Sequence, residues 1–121
     1  MSRAVAALLV ALAVPAFAAP RRDGPTAAGA DGLPAGKWRV EFANGVVERC
    51  TFEQGTATET EPLRSSTGKP ALQDGSVVIA FADDRTERWT AVGKQWVVEH
   101  WCPSAAYPAG RPVVGIAKPQ R

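Results

Sequence analysis

The chain has 121 residues, 45% of them hydrophobic and 21% charged, which is enough apolar material for one small domain and too much for a disordered chain. With 14 basic and 12 acidic side chains, the formal charge of +2 gives no electrostatic footprint for nucleic acid or an anionic membrane surface. Two cysteines and one histidine exclude a disulfide-dense scaffold, a zinc finger and a haem attachment motif.

Met1-Ser2-Arg3 brings one positive charge, and Ala4 to Val14 is an unbroken apolar run, too short to span a bilayer as a helix and without a polar face to show to water. Pro15 ends that run, and Ala16-Phe17-Ala18 fits the small-x-small cleavage pattern. Residues 1–18 therefore read as a secretory signal peptide cut after Ala18, and the protein as secreted or periplasmic, with no membrane insertion after cleavage. From Ala19 to Ala35 the chain is Pro, Arg, Asp, Gly, Thr and Ala, with Leu33 its one large apolar side chain. Such a stretch cannot bury enough surface to offset the entropy of ordering it. Residues 19–35 read as a flexible arm, either a spacer or a segment that orders on a protein partner.

Past Gly36 the chain breaks into runs of five to eight residues rich in Val, Thr, Phe and Trp, punctuated by Asn44-Gly45, Gln54-Gly55, Gly68-Lys69-Pro70, Asp74-Gly75, Asp83-Asp84 and Gly93-Lys94. Turn signals about every ten residues predict antiparallel hairpins, and Gly or Pro interrupts every candidate helix. The class is all-β, a single meander over residues 36–117, with 118–121 as a frayed tail.

Side chains alternate faces along a strand, so each turn length fixes which residues stand opposite. A three-residue loop Ala43-Asn44-Gly45, with Gly45 left-handed, pairs Val40 with Glu48 and Trp38 with Cys50, and keeps Phe52 on the apolar face; a two-residue turn strands Cys50 and Phe52 among the charges. A two-residue turn at Gly93-Lys94 sets Ala91 opposite Trp96, Trp89 opposite Val98 and Glu87 opposite His100, with Arg88 facing Glu99 on the other side. Leu72 meets Val77 across Asp74-Gly75, and the face Val77, Ile79, Phe81 joins Glu87 and Trp89 only if the Asp83-Asp84 turn is odd in length. The inward set is Trp38, Val40, Phe42, Val46, Cys50, Phe52, Ala57, Leu72, Val77, Ile79, Phe81, Trp89, Ala91, Trp96 and Val98. These side chains suffice for one small core but not for two thick sheets, which predicts seven or eight short strands curled into a small barrel or half-barrel. Residues 102–112 form a long loop, and Val113 to Ala117 returns as a closing strand.

Glu48, Glu87 and His100 are the polar members of the inward face. They either form the polar end of a cavity or sit wet at the rims; an unpaired buried carboxylate is costly, and Glu87 opposite His100 supplies one pairing. The three lack the close spacing of metal ligands, and no nucleophile or phosphate-loop pattern accompanies them, so no metal, no cofactor and no catalytic residue is expected. Cys50 and Cys102 form a disulfide in an oxidising compartment or remain two buried thiols. Trp101, on the outer face, is either an exposed patch or covered by the loop that holds Tyr107.

Gly36-Lys37-Trp38 resembles the Gly-x-Trp signature that opens lipocalins and calycin-like barrels, which implies a lipocalin-like miniature. The run Gly36 to Phe52, with Trp38, Gly45 and Cys50, resembles the start of small secreted barrels that inhibit bacterial metalloproteases by inserting an N-terminal arm. The wider pattern of Val40 to Val47, Asp83-Asp84-Arg85, Glu87-Arg88-Trp89, Val98-Glu99-His100-Trp101 and Val114 to Ala117 is similar to an uncharacterised family of short exported bacterial proteins. These resemblances imply location and fold but no chemistry. The reading is a non-enzymatic exported barrel that binds a small apolar or amphipathic ligand near Trp38, Glu48, Glu87, Trp89, Trp96 and His100. The alternative is a protein-binding module or protease inhibitor acting through the 19–35 arm.

Overall fold

In a computed structural model that describes residues 32–120, the chain reverses at the expected turn signals except Gly68-Lys69-Pro70, which lies inside a ten-residue strand paired residue by residue with the next, the reversal falling instead at Pro62-Leu63. Residues 1–18, read from sequence as a signal peptide, residues 19–31 of the expected arm and Arg121 lie outside the described residues. Eight strands follow one another: β1 (Gly36–Phe42), β2 (Val47–Glu53), β3 (Thr56–Glu61), β4 (Arg64–Gln73), β5 (Ser76–Phe81), β6 (Thr86–Val92), β7 (Gln95–Trp101) and β8 (Val113–Pro119). Each pairs antiparallel with the next, and β8 returns to pair with β1, so the sheet is a closed barrel without an edge.

The hairpin registers follow from turn chemistry. Gly45 is left-handed at φ 91°, and Phe42 N donates to Val46 O at 2.9 Å, closing a three-residue loop that sets Trp38 against Cys50 and Val40 against Glu48. Asp74 and Gly75 both take positive φ, the conformation a two-residue type I′ turn requires, and Leu72 stands against Val77. The Asp83-Asp84 turn is odd in length: Ala82, Asp83 and Asp84 form the loop, with Phe81 N donating to Arg85 O at 2.9 Å. In the β6–β7 hairpin Ala91 faces Trp96, Trp89 faces Val98, Glu87 faces His100 and Arg88 faces Glu99.

The lumen has two unlike halves. Toward the end where β1 begins and β8 finishes, Trp38, Phe52, Trp89 and Trp96 fill the interior. Trp89 is the hub, with ring centroids 5.0 Å from Phe52, 6.1 Å from Trp38 and 6.2 Å from Trp96. Val40, Cys50, Ala57, Val77, Ile79, Val98 and Ala117 complete this packed core. At the opposite end, the mouth, the buried polar side chains are Glu48, Glu59, Arg85, Glu87 and His100, beside Phe42 and Phe81.

The structure corrects several sequence expectations. Val46, Leu72 and Ala91 are exposed, not inward, because they sit beside turns at the rims, where the lumen has already ended. The arm is not free up to Ala35. Leu33 packs against the core, and Trp38 Nε1–H donates to Ala35 O at 3.1 Å, so residues 32–35 are tied to the aromatic end. The tail does not fray at Lys118. Closing the barrel makes β8 as long as β1, with Lys118 paired to Arg39, Pro119 to Trp38, and Gln120 N donating to Lys37 O at 2.8 Å.

Cys50 and Cys102 are not bridged: both are free. Cys50 is buried inside the barrel, whereas Cys102 is exposed, because the chain leaves the inward alternation at the end of β7 to start the covering loop. That loop covers Trp101, whose Nε1–H donates to Gly110 O at 2.9 Å and whose ring meets Tyr107 edge-on at 4.6 Å.

Candidate functional site

The mouth is assembled by the second residues of β2 and β6, the end of β3, the turn before β6 and the end of β7. Strand alternation alone places Glu48, Glu59, Glu61, Glu87 and His100 on the inward face, and the odd turn places Arg85 there beside Phe81. Glu48, Glu59 and Glu87 are fully buried. Burial of so many carboxylates is tolerable only where each finds a donor, a cation or a proton.

Arg85 supplies one side of this arrangement. Its Nη2 bonds Glu59, its Nη1 bonds Glu61 at 2.8 Å, and its Nε bonds Asp83 at 2.7 Å, so one planar guanidinium holds three carboxylates. Glu61 and Asp83 lose hydration, which alone raises a carboxyl pKa, but the neighbouring hydrogen bonds and the Arg85 charge hold both below the usual range. For Glu59 the loss of water wins, with a further push from Glu61, and its pKa rises to about 8 despite Arg85.

Glu87 supplies the other side. Trp89 Nε1–H donates to Glu87 Oε1 at 3.0 Å, and His100 Nδ1 is hydrogen-bonded to Glu87 Oε2 at 2.8 Å. His100 is held in place by the edge-on ring of Phe42, 5.6 Å away.

Glu48 stands between the two sides with no donor on either carboxylate oxygen, and His100 Nδ1 is 3.9 Å from its Oε1. Loss of water, then the proximity of Glu87, pushes its pKa up to about 12. Burial, followed by the charges of Glu87, Glu48 and Glu59, likewise pushes the Cys50 thiol well up, so this cysteine is an inert core residue.

The mouth opens through a cleft of about 80 Å³ lined by Phe42, Asn44, Val46, Glu61, Arg64, His100, Cys102 and Val113. Beside it runs a shallower groove of about 530 Å³, open to solvent, over Gly45, Val46, Val47, Glu61, Pro62, Leu63 and Arg64. Leu63 is 96% exposed in the β3–β4 turn.

Of the residues singled out from sequence, Glu48, Glu87 and His100 come together at the mouth, and His100 also lines its cleft. Trp38, Trp89 and Trp96 do not join them in a cavity: they are packed on one another at the far end. Sequence reasoning passed over Glu59, Glu61 and Arg85. The signal was available, since the alternation from Ala57 points Glu59 and Glu61 inward and the odd turn points Arg85 inward. Comparison with family models, with curated proteins and with solved structures finds no match for this chain.

Proposed function

We propose that this is a non-enzymatic, exported barrel that binds a small amphipathic molecule at its mouth. The observation that supports this reading is the continuity of the cleft above His100 with the groove beside Leu63. Drug-sized ligands occupy cavities of roughly 300 Å³ or more, so a cleft of about 80 Å³ takes a polar head group and no more. The apolar part of the ligand then lies outside, along Val46, Val47, Pro62 and the exposed Leu63. Asn44, Glu61, Arg64 and His100 offer the hydrogen bonds that orient a hydroxyl or amine head, while Phe42 and Val113 give it an apolar wall. Binding belongs at this end because Trp38, Trp89 and Trp96 are buried against one another at the other.

The test is a titration of the protein with a medium-chain alkanol, alkylamine and fatty acid, followed by NMR. At least one probe should give saturable shifts at Asn44, Leu63 and His100, while the indole N–H signals of Trp38 and Trp96 stay in place. Absence of saturation with all three probes, or shifts confined to the tryptophan end, overturns the reading. Binding should also survive deletion of residues 19–31; loss on that deletion moves recognition to the arm and a protein partner.

A further inference from the structure

Beneath the cleft, one buried carboxyl has no hydrogen-bond donor on either oxygen. Arg85 holds Glu59, Glu61 and Asp83, and Glu87 accepts from Trp89 and is hydrogen-bonded to His100, but both oxygens of Glu48 are without a hydrogen-bond donor although the residue is 0% exposed. A native interior leaves few such atoms, and an unpaired pair on one carboxylate marks a place where something else is accommodated.

We propose that Glu48, Glu87 and His100 form a binding site for one divalent transition-metal ion, Zn²⁺ by ligand class, reached through the mouth cleft. Ligand atoms of these three side chains all lie within 4.8 Å of one another. Ligands at about 2.1 Å around a tetrahedral zinc stand roughly 3.4 Å apart. The observed separations from His100 Nδ1, 2.8 Å to Glu87 and 3.9 Å to Glu48, bracket that value. Adjustments of about half an ångström at the two carboxylates bring each to the tetrahedral spacing from His100 Nδ1. An imidazole with two carboxylates gives a neutral set around a divalent ion and leaves a fourth position open.

The surroundings fit. Trp89 Nε1–H fixes the second oxygen of Glu87, the outer hydrogen bond that orients a metal-binding carboxylate. Phe42 against His100 fixes the ring plane. Mg²⁺ and Ca²⁺ are disfavoured, since they take six or more oxygens and gain little from an imidazole. The neighbouring trio Glu48, Glu59 and Glu61 is the weaker site, because Arg85 already occupies two of its members. The sequence expectation of no metal rested on the wide spacing along the chain, but barrel closure brings β2, β6 and β7 side chains to one point. The site lies below the proposed ligand cleft and stands whether or not an amphiphile binds there.

The test uses the chelator-treated protein with its exposed Cys102 changed to Ser, so that a surface thiol contributes nothing, and titrates it with Zn²⁺ alone by calorimetry. One Zn²⁺ should bind per chain, with a shift of the Trp89 indole N–H signal and a rise in Tm, and equal concentrations of Mg²⁺ or Ca²⁺ should do neither. Glu48→Gln keeps the shape and should weaken Zn²⁺ binding by roughly a hundredfold, since loss of even an outer-shell partner costs 10- to 100-fold. Absence of saturable Zn²⁺ binding, binding that leaves the Trp89 signal unmoved, or Glu48→Gln binding as well as its parent overturns the proposal. If Glu48→Gln fails to fold, an anomalous-scattering map of a Zn²⁺-soaked crystal decides: a peak between Glu48 and His100 supports the site, and a peak elsewhere or none overturns it.

Discussion

At the far end of the lumen, Trp38, Phe52, Trp89 and Trp96 interlock by ring edges; at the mouth, a similar width of barrel is filled by Glu48, Glu59, Arg85, Glu87 and His100. Most of these side chains are buried in both halves, yet only the first half gains from that burial. Each large ring taken from water is favourable by about 2–3 kcal/mol, whereas each buried carboxylate must recover its lost hydration from a donor, a cation or a proton. The aromatic half is therefore the part that holds the barrel together. The mouth is a cost the fold carries, and unpaired polar atoms at such a place are what a site for something else looks like.

The largest effects should come from removing the hub of each half. Trp89→Ala empties the aromatic layer and should cost about 3–5 kcal/mol in denaturant unfolding at any pH. Arg85→Met should cost a similar amount, about 3–5 kcal/mol at pH 7, because it strands Glu59 and Glu61. Its cost should grow as pH rises through about 8, where Glu59 loses its proton and needs the cation, and shrink in acid, where Glu61 and Asp83, held low by Arg85, take up protons. Equal pH dependence for the two variants breaks the distinction between the halves.

Glu48→Gln should have the opposite sign. A folded-state pKa raised to about 12 means that the native protein keeps a proton which the unfolded chain releases above its ordinary value of 4.5. That carboxyl is neutral in cost below about pH 4 and increasingly destabilising as pH rises through the window between the two values. In metal-free protein, Glu48→Gln should therefore raise stability by about 2–3 kcal/mol at pH 7 and by little at pH 4. Denaturant midpoints at the two pH values check this, and destabilisation at pH 7 contradicts the assignment of Glu48 as an uncompensated acid.

Smaller effects probe the wall shared by both halves. A Cβ at Gly115 comes within 2.7 Å of the Phe42 ring and 2.8 Å of the Glu41 carbonyl oxygen across the closing β8–β1 seam. Gly115→Ala should cost about 1–3 kcal/mol, read from Tm, by pushing that seam apart. On the outer surface Arg88 bonds Glu99 at 2.6 Å, but both groups are partly exposed. Arg88→Ala should change stability by less than about 1 kcal/mol, and less still in high salt.

The alternation of side chains and the chemistry of the turns carry the fold in the sequence itself. Asn44-Gly45, Asp74-Gly75 and Gly93-Lys94 fix loop length, loop length fixes register, and register puts Trp38, Trp89 and Val98 inside and Arg88 with Glu99 outside. Those are local constraints between residues a few positions apart, so one sequence suffices to state them. A closing strand was legible in Val113 to Ala117, but whether the sheet closes fully or stops at a half-barrel was beyond that reach. Only the pairing of β8 with β1 decides that the strand ends meet, that residues 32–35 are tied to the aromatic end, and that Cys102 is left outside the barrel away from Cys50. Closure also decides that Arg85 reaches Glu59 and that Glu48 is left without a donor, because the separation of side chains across a lumen depends on the curvature of the whole sheet.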